Sequence, residues 1–204
     1  HHVPKLLKQL DKLGKPQQLH VVYEAGPTGF SLARSLLDKG YACEVIAPSK
    51  TPRRPGERVK TDTRDCIMLA EYSRSGSLHA VWIPDAADEA IRDLSRARED
   101  AIEARQQARL QLKSFLLRHD VRYAGKTSWS SAHYRWLAEQ SFGASAAQTA
   151  FTEYCLTVQA GDERVLRLTQ ALQEAVTQWR FAGVVAALQA LRGVAMVTAI
   201  GLVA

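Results

Sequence analysis

A chain of 204 residues and 22.6 kDa is long enough for one ordinary domain or two small ones, with a buried core. Its 46% hydrophobic and 24% charged residues exclude the disordered and fibrous classes, and its longest apolar stretch, the 11 residues Val194 to Ala204, is too short to cross a bilayer. The 27 Lys and Arg against 21 Asp and Glu leave +6, an excess that favours a polyanionic partner such as nucleic acid.

Three widely spaced cysteines, Cys43, Cys66 and Cys155, argue against a disulfide scaffold or zinc site and suit a reducing cytoplasm. The six histidines have no metal-ligand spacing and read as ordinary polar residues.

The first expected element is a buried strand from Leu19 to Glu24, broken by the turn Ala25-Gly26-Pro27-Thr28-Gly29. Phe30, Ala33, Leu36 and Leu37 then recur at helical spacing up to Gly40, and Tyr41 to Ala47 reads as a second strand. This strand-helix-strand unit predicts parallel pairing and an α/β fold. Pro48 to Lys60 is proline-rich and basic, an exposed loop, and a helix is expected from Thr61 or Asp62 to about Gly76. His79 to Pro84 reads as a short extended piece.

Beyond it the pattern becomes helical. Leu94, Ala97, Ala101, Ala104, Ala108, Leu112 and Phe115 form a near-heptad seam on a long charged helix. After a connector between Gly125 and Gly143, Phe151, Tyr154, Val158, Gly161, Val165, Leu168, Leu172, Ala175, Trp179, Ala182 and Ala186 continue the same alternation. Gly161 is its weak point and could divide the helix, with Asp162 capping the second half. The seam fits either an intramolecular hairpin or a coiled-coil dimer, and a homo-oligomer of at least two chains is expected. From Leu191 a further apolar unit begins and stops with no element to cover it, so the chain reads as a fragment.

Candidate chemistry gathers near the first strand. Glu24 ends a parallel strand, at the sheet edge where α/β active sites form. Asp62 and Asp65, three apart, share one face at the start of a helix. Three converging carboxylates would hold a hard cation such as Mg²⁺, or Mn²⁺, for phosphodiester cleavage. Helix capping and the macrodipole would select the same two aspartates without any function. Lys50, Arg53, Arg54, Arg58, Lys60 and Arg64 make the neighbouring stretch cationic, suited to a phosphate backbone.

These residues carry a family resemblance. Tyr23-Glu24-Ala25-Gly26-Pro27-Thr28-Gly29, Ala47-Pro48-Ser49, Val59-Lys60-Thr61-Asp62-Thr63-Arg64-Asp65, Arg92-Asp93-Leu94 and Leu191-Arg192-Gly193-Val194 resemble the N-terminal half of the DEDD insertion-sequence transposases, the bridge-RNA-guided recombinases. The resemblance implies a RuvC-like domain of ribonuclease-H fold over 1–84, without its first strand. A helical coiled-coil region over 85–190 and the start of a C-terminal transposase domain over 191–204 would follow. It also implies that Glu24, Asp62 and Asp65 are three of four acidic metal ligands, with DNA and a guide RNA as partners in a prokaryotic cytoplasm. The first Asp of the family would precede His1 and its nucleophilic serine would follow Ala204. Cys66 stands where the family has a small alanine. The expected function is a DNA transposase or recombinase whose fragment is inactive alone. The alternative is a non-catalytic nucleic-acid-binding and dimerisation module.

Overall fold

A computed structural model describes residues 3–51 and 61–204, which form two compact units, one ending at Asp85 and the other running from Ala86 to Ala204. Together they are a mixed α/β chain, mostly helical, with a single two-stranded sheet among the described residues.

The first unit opens with α1 (Val3–Leu13), for which the sequence reading offers no counterpart. Its Val3, Leu6, Leu7 and Leu10 recur at helical spacing and are half-buried, and Leu7 and Leu10 pack on the core of the unit. Strand β1 (His20–Glu24) pairs in parallel with β2 (Ala42–Ile46), His20 opposite Ala42 and Glu24 opposite Ile46. The helix between them, α2 (Ser31–Leu37), buries Ala33 and Leu36 completely. It ends through Gly40 at φ 81°, where the Tyr41 N–H returns to the Leu36 carbonyl at 3.1 Å. A left-handed residue is what such a helix end requires, and glycine supplies it without a Cβ clash.

Ala33, Leu36, Tyr41, Cys43 and Val45 form the core of this unit. Burial of fully enclosed side chains such as Leu36 and Val45 contributes about 1.5–3 kcal/mol each. The Tyr41 hydroxyl reaches the Asp11 carboxylate at 2.9 Å, which fastens α1 over the sheet. The extended piece expected from His79 lies beside β2, with an antiparallel bridge between Ile46 and Ala80 and a 2.7 Å bond from the Val81 N–H to the Val45 carbonyl. Helix α3 (Asp62–Arg74) lies against β1.

The second unit is built on two 33-residue helices, α4 (Ala86–Arg118) and α6 (Ser145–Thr177), packed along each other. The seam positions Ala101, Ala108, Leu112 and Phe115 of α4 and Phe151, Val158, Val165 and Leu172 of α6 are buried within one chain. The hairpin alternative therefore accounts for the seam, and a dimer built on it would find these side chains already covered. Ala104, expected in the seam, is exposed. Its place across from α6 is taken by Arg105.

Helix α6 runs through Gly161 without a break. A Cβ on Gly161 would stand 3.2 Å from the Arg105 Cβ and 3.3 Å from its Cα, so the missing side chain lets the two helices approach. Asp162 is no cap. It accepts from Arg109 at 2.7 Å, lies 3.5 Å from Arg105, and takes the Tyr134 hydroxyl as a further donor.

The seam stops at Thr177, short of the expected Ala186, which is exposed. The chain turns there because Trp179 and Arg180 converge on Asp88, which is 3% exposed. Helix α7 (Ala182–Leu188) follows, then α8 (Met196–Val203). The apolar tail does have a cover. Ala199 and Ile200 are fully buried against Val176, Trp179 and Val185.

Between the long helices, α5 (Ser131–Ala138) is capped by Ser130, whose Oγ accepts the His133 N–H at 3.4 Å. His133 is buried among Tyr123, Trp129 and Trp136, and its Nδ1 accepts the Trp129 N–H at 3.2 Å. Burial first, then the charges of Lys113 and Arg109, hold its pKa below the ordinary histidine value. The unfolded chain then binds the proton more readily than the folded one, so this contribution to stability is intact above about pH 6.5. It is lost as the pH falls from there through the lowered folded value. Urea unfolding of the native chain and of His133→Gln at several pH values is expected to show a steeper acid loss for the native chain. Identical pH slopes would show that His133 does not carry the effect.

Candidate functional site

Glu24 stands at the carboxyl end of β1 and is exposed. The ladder continues one residue beyond it, from the Ala25 N–H to the Ile46 carbonyl at 2.8 Å, and the Tyr23 hydroxyl reaches the Gly29 carbonyl at 3.3 Å. The strand end and following turn are thereby fixed, and the Glu24 carboxylate projects from a defined backbone.

Asp62 and Asp65 occupy the first turn of α3, Asp62 exposed and Asp65 half-buried. The cap of this helix is Thr61, in an extended conformation, whose side chain accepts the Arg64 N–H at 3.4 Å. Asp62 is therefore the first helical residue and not the cap. Hydrogen-bond capping no longer explains it, although the helix dipole still favours both carboxylates. At the far end of α3, Ser73 Oγ is 3.2 Å from His20 Nδ1, which ties the last turn of the helix to the start of β1.

Glu24, Asp62 and Asp65 are not gathered into one ligand set. Among the described residues no three His, Cys, Asp or Glu side chains lie close enough to hold a metal ion. Their oxygen donors suit a hard cation, but their placement does not close on a common point.

Of the six expected cationic residues, Lys50 lies exposed in the short 3-10 turn Pro48–Lys50 after β2, and Arg64 lies exposed in the first turn of α3. Arg53, Arg54, Arg58 and Lys60 lie outside the described residues. Cys66 is exposed on α3, whereas Cys155 in the helical unit is partly buried and burial pushes its thiol up to about 11. No helix among the described residues is long and apolar enough to cross a membrane.

Sequence reading missed two polar arrangements, the Asp88 junction and the Asp162 cluster; it marks the arginine-rich helix from Arg92 to Arg118 as an alternative cationic surface but not the aromatic residues around Trp129. The cationic surface has a signal in composition, since Lys and Arg far outnumber acids between residues 104 and 138.

Comparison with known proteins specifies the family. Residues 1–119 match the model of the DEDD transposases of the IS110 type, described as Transposase, and the chain belongs to that family. It is 43% identical over 198 residues to the putative transposase y4qE of Sinorhizobium fredii (strain NBRC 101917 / NGR234), covering 97% of this chain and 47% of that protein. It is 33% identical over 202 residues to the transposase for insertion sequence element IS1533 of Leptospira borgpetersenii, covering 98% of this chain and 58% of that protein. The chain thus spans about half the length of the curated relatives it matches.

Proposed function

We infer that the chain is the part of a DNA transposase that carries the acidic residues of strand cleavage, on a RuvC-like, ribonuclease-H-type sheet. The single observation that carries this reading is the position of Glu24 at the carboxyl end of a parallel strand with Asp62 and Asp65 on the helix packed against it. The Ser73–His20 contact supports it. The three carboxylates are read as belonging to one cleavage site that is completed in the full-length protein.

Mg²⁺, or Mn²⁺, is the cation such oxygen ligands take. In the arrangement described it finds no complete set, so binding by this chain alone requires a further ligand from elsewhere or a shift of α3, and is expected to be weak. By the family resemblance, the serine that attacks phosphorus would come from a part of the full-length transposase that this chain does not span. The cationic residues Lys50, Arg53, Arg54, Arg58, Lys60 and Arg64 suit a DNA backbone by their charge, and a guide RNA is the second partner of the intact protein. Copies of the chain associate through apolar side chains left on the outside of the hairpin, Leu110 and Leu117 of α4 and Leu156 and Leu166 of α6, each at least half exposed.

The test is strand cleavage by a full-length transposase carrying this sequence. Asp62→Asn and Asp65→Asn are expected to lower cleavage by a factor of a thousand or more with the circular dichroism spectrum unchanged, because Thr61 continues to cap α3. Glu24→Gln is expected to do the same. Cleavage near the native rate in all three variants would leave the carboxylates with a helix-dipole role and favour the non-catalytic binding module.

A further inference from the structure

Charge in the helical unit is unevenly distributed along α4 and the connector after it. Residues 86–103 carry six acidic side chains against three arginines, whereas residues 104–138 carry seven Lys and Arg against one acid, Asp120. Arg105 and Arg109 are engaged by Asp162, and Arg122 lies 3.4 Å from Asp120 on an exposed surface. No carboxylate of the described residues pairs with Lys113, Arg118, Lys126 or Arg135, and all four are exposed. Like charges held close together repel, and among the described residues no carboxylate neutralises these four.

Some of these cations rest on aromatic rings. Arg109 Cζ lies 4.8 Å and Lys113 Nζ 5.7 Å from the centroid of the Trp129 ring. Arg118 lies over Phe115 at 5.7 Å. Trp129 itself is held at φ 66°, a left-handed conformation that strains a bulky side chain, and its N–H is fixed by the buried His133. Tyr123 packs on both His133 and Trp136, which brings the connector back over the end of α4. The strained tryptophan thus supports the exposed Lys113 from a rigid base, beside Arg109, which Asp162 already holds.

We propose that the exposed cations Lys113 and Arg118 of α4, Lys126 of the connector and Arg135 of α5 bind the phosphate backbone of a nucleic acid, as an anchoring surface distinct from the carboxylates Glu24, Asp62 and Asp65. The transposase reading supports it only in the choice of nucleic acid over other polyanions. Unpaired, exposed cations release condensed counterions when they meet phosphates. Four such contacts on duplex DNA correspond to a slope of log affinity against log salt of about −3 to −4.

The test uses the whole 204-residue chain and a fluorescein-labelled random-sequence DNA duplex of about 30 base pairs, titrated by anisotropy over a salt series. The triple variant Lys113→Gln, Arg118→Gln, Lys126→Gln is expected to bind at least tenfold more weakly at low salt, with the slope flattened by about two to three. These side chains are exposed, so the circular dichroism spectrum is expected to stay native. The charge-conserving variant Lys113→Arg, Arg118→Lys, Lys126→Arg is expected to restore both affinity and slope. An unaltered affinity and salt slope in the triple variant overturns the anchoring surface, and leaves the carboxylate reading to the cleavage test in the full-length transposase. Tighter binding of the native chain to phosphatidylserine vesicles than to the duplex, with both lost in the triple variant, also overturns it, in favour of a membrane surface.

Discussion

Asp88→Ala is expected to destabilise the helical unit by about 2–4 kcal/mol, measured as the shift in a urea unfolding curve followed by circular dichroism. Asp88 is 3% exposed in the first turn of α4 and accepts the Trp179 indole N–H at 2.7 Å. It also pairs with the Arg180 guanidinium, whose Nε lies 3.1 Å from Oδ1. Breaking a buried ion pair by removing one partner ordinarily costs about 3–5 kcal/mol. Arg180 is 48% exposed, so its charge returns to water when Asp88 is lost, and the cost falls below that range. The buried indole N–H has no such escape and contributes about 1–3 kcal/mol as an unsatisfied donor. Loss of a first-turn carboxylate adds a few tenths of a kcal/mol through the helix dipole. Asp88→Asn keeps an acceptor for the indole and is expected to lose roughly half as much. A shift under about 0.5 kcal/mol for the Ala variant would mean that the turn after α6 is held by its apolar contacts alone.

That junction also marks a limit of sequence reading. Asp88 and Trp179 are 91 positions apart. An aspartate in the first turn of a helix already has an ordinary explanation in the dipole, so nothing local announces that an indole will reach it. The alternation of the seam continues formally to Ala186, but the polar junction is satisfied only if the helix ends and the chain turns. Periodicity was informative about faces instead. It identified Ala101, Ala108, Leu112, Phe115, Val158, Val165 and Leu172 as interior positions, all of them buried. It could not say whether the covering helix belongs to the same chain, because an apolar stripe has the same spacing in either case. Ala104 shows the same limit at one residue: its small apolar side chain fits the repeat, while the close approach of the helices at Gly161 is made against Arg105.

In the first unit, alternating strand, turn and helix signals located β1, α2 and β2 to within a residue or two at most boundaries, since β-branched runs and the Gly40 stop are local features. The cap of α3 was ambiguous because Thr61 and Asp62 are adjacent and both are good caps. The backbone selects Thr61, and that choice removes one competing explanation for Asp62. The relation of the two aspartates to Glu24 was not legible at all, since it depends on how α3 lies on β1, a long-range contact with no sequence period.

Leu172→Asp is expected to unfold the helical unit. The side chain is fully buried in a cluster with Ile91, Val176, Trp179 and Ile200, residues from α4, α6, the turn after it and α8. Truncation of such a leucine to Ala already costs about 2–5 kcal/mol. A carboxylate there also forfeits hydration inside an apolar cluster, and that loss exceeds the margin of an ordinary domain. Leu117→Asp is the matched control. Leu117 is 58% exposed, so its substitution is expected to change stability by no more than about 0.5 kcal/mol. If copies of the chain associate through the outer face of the hairpin, the Leu117 variant is also expected to sediment as a smaller species. The two variants separate the uses of leucine in this hairpin, one closing the chain on itself and the other facing outward. A Leu172→Asp chain that keeps a native circular dichroism spectrum while a native dimer dissociates would mean that the seam joins two chains, because a charge at a fully enclosed internal position is incompatible with an intact hairpin.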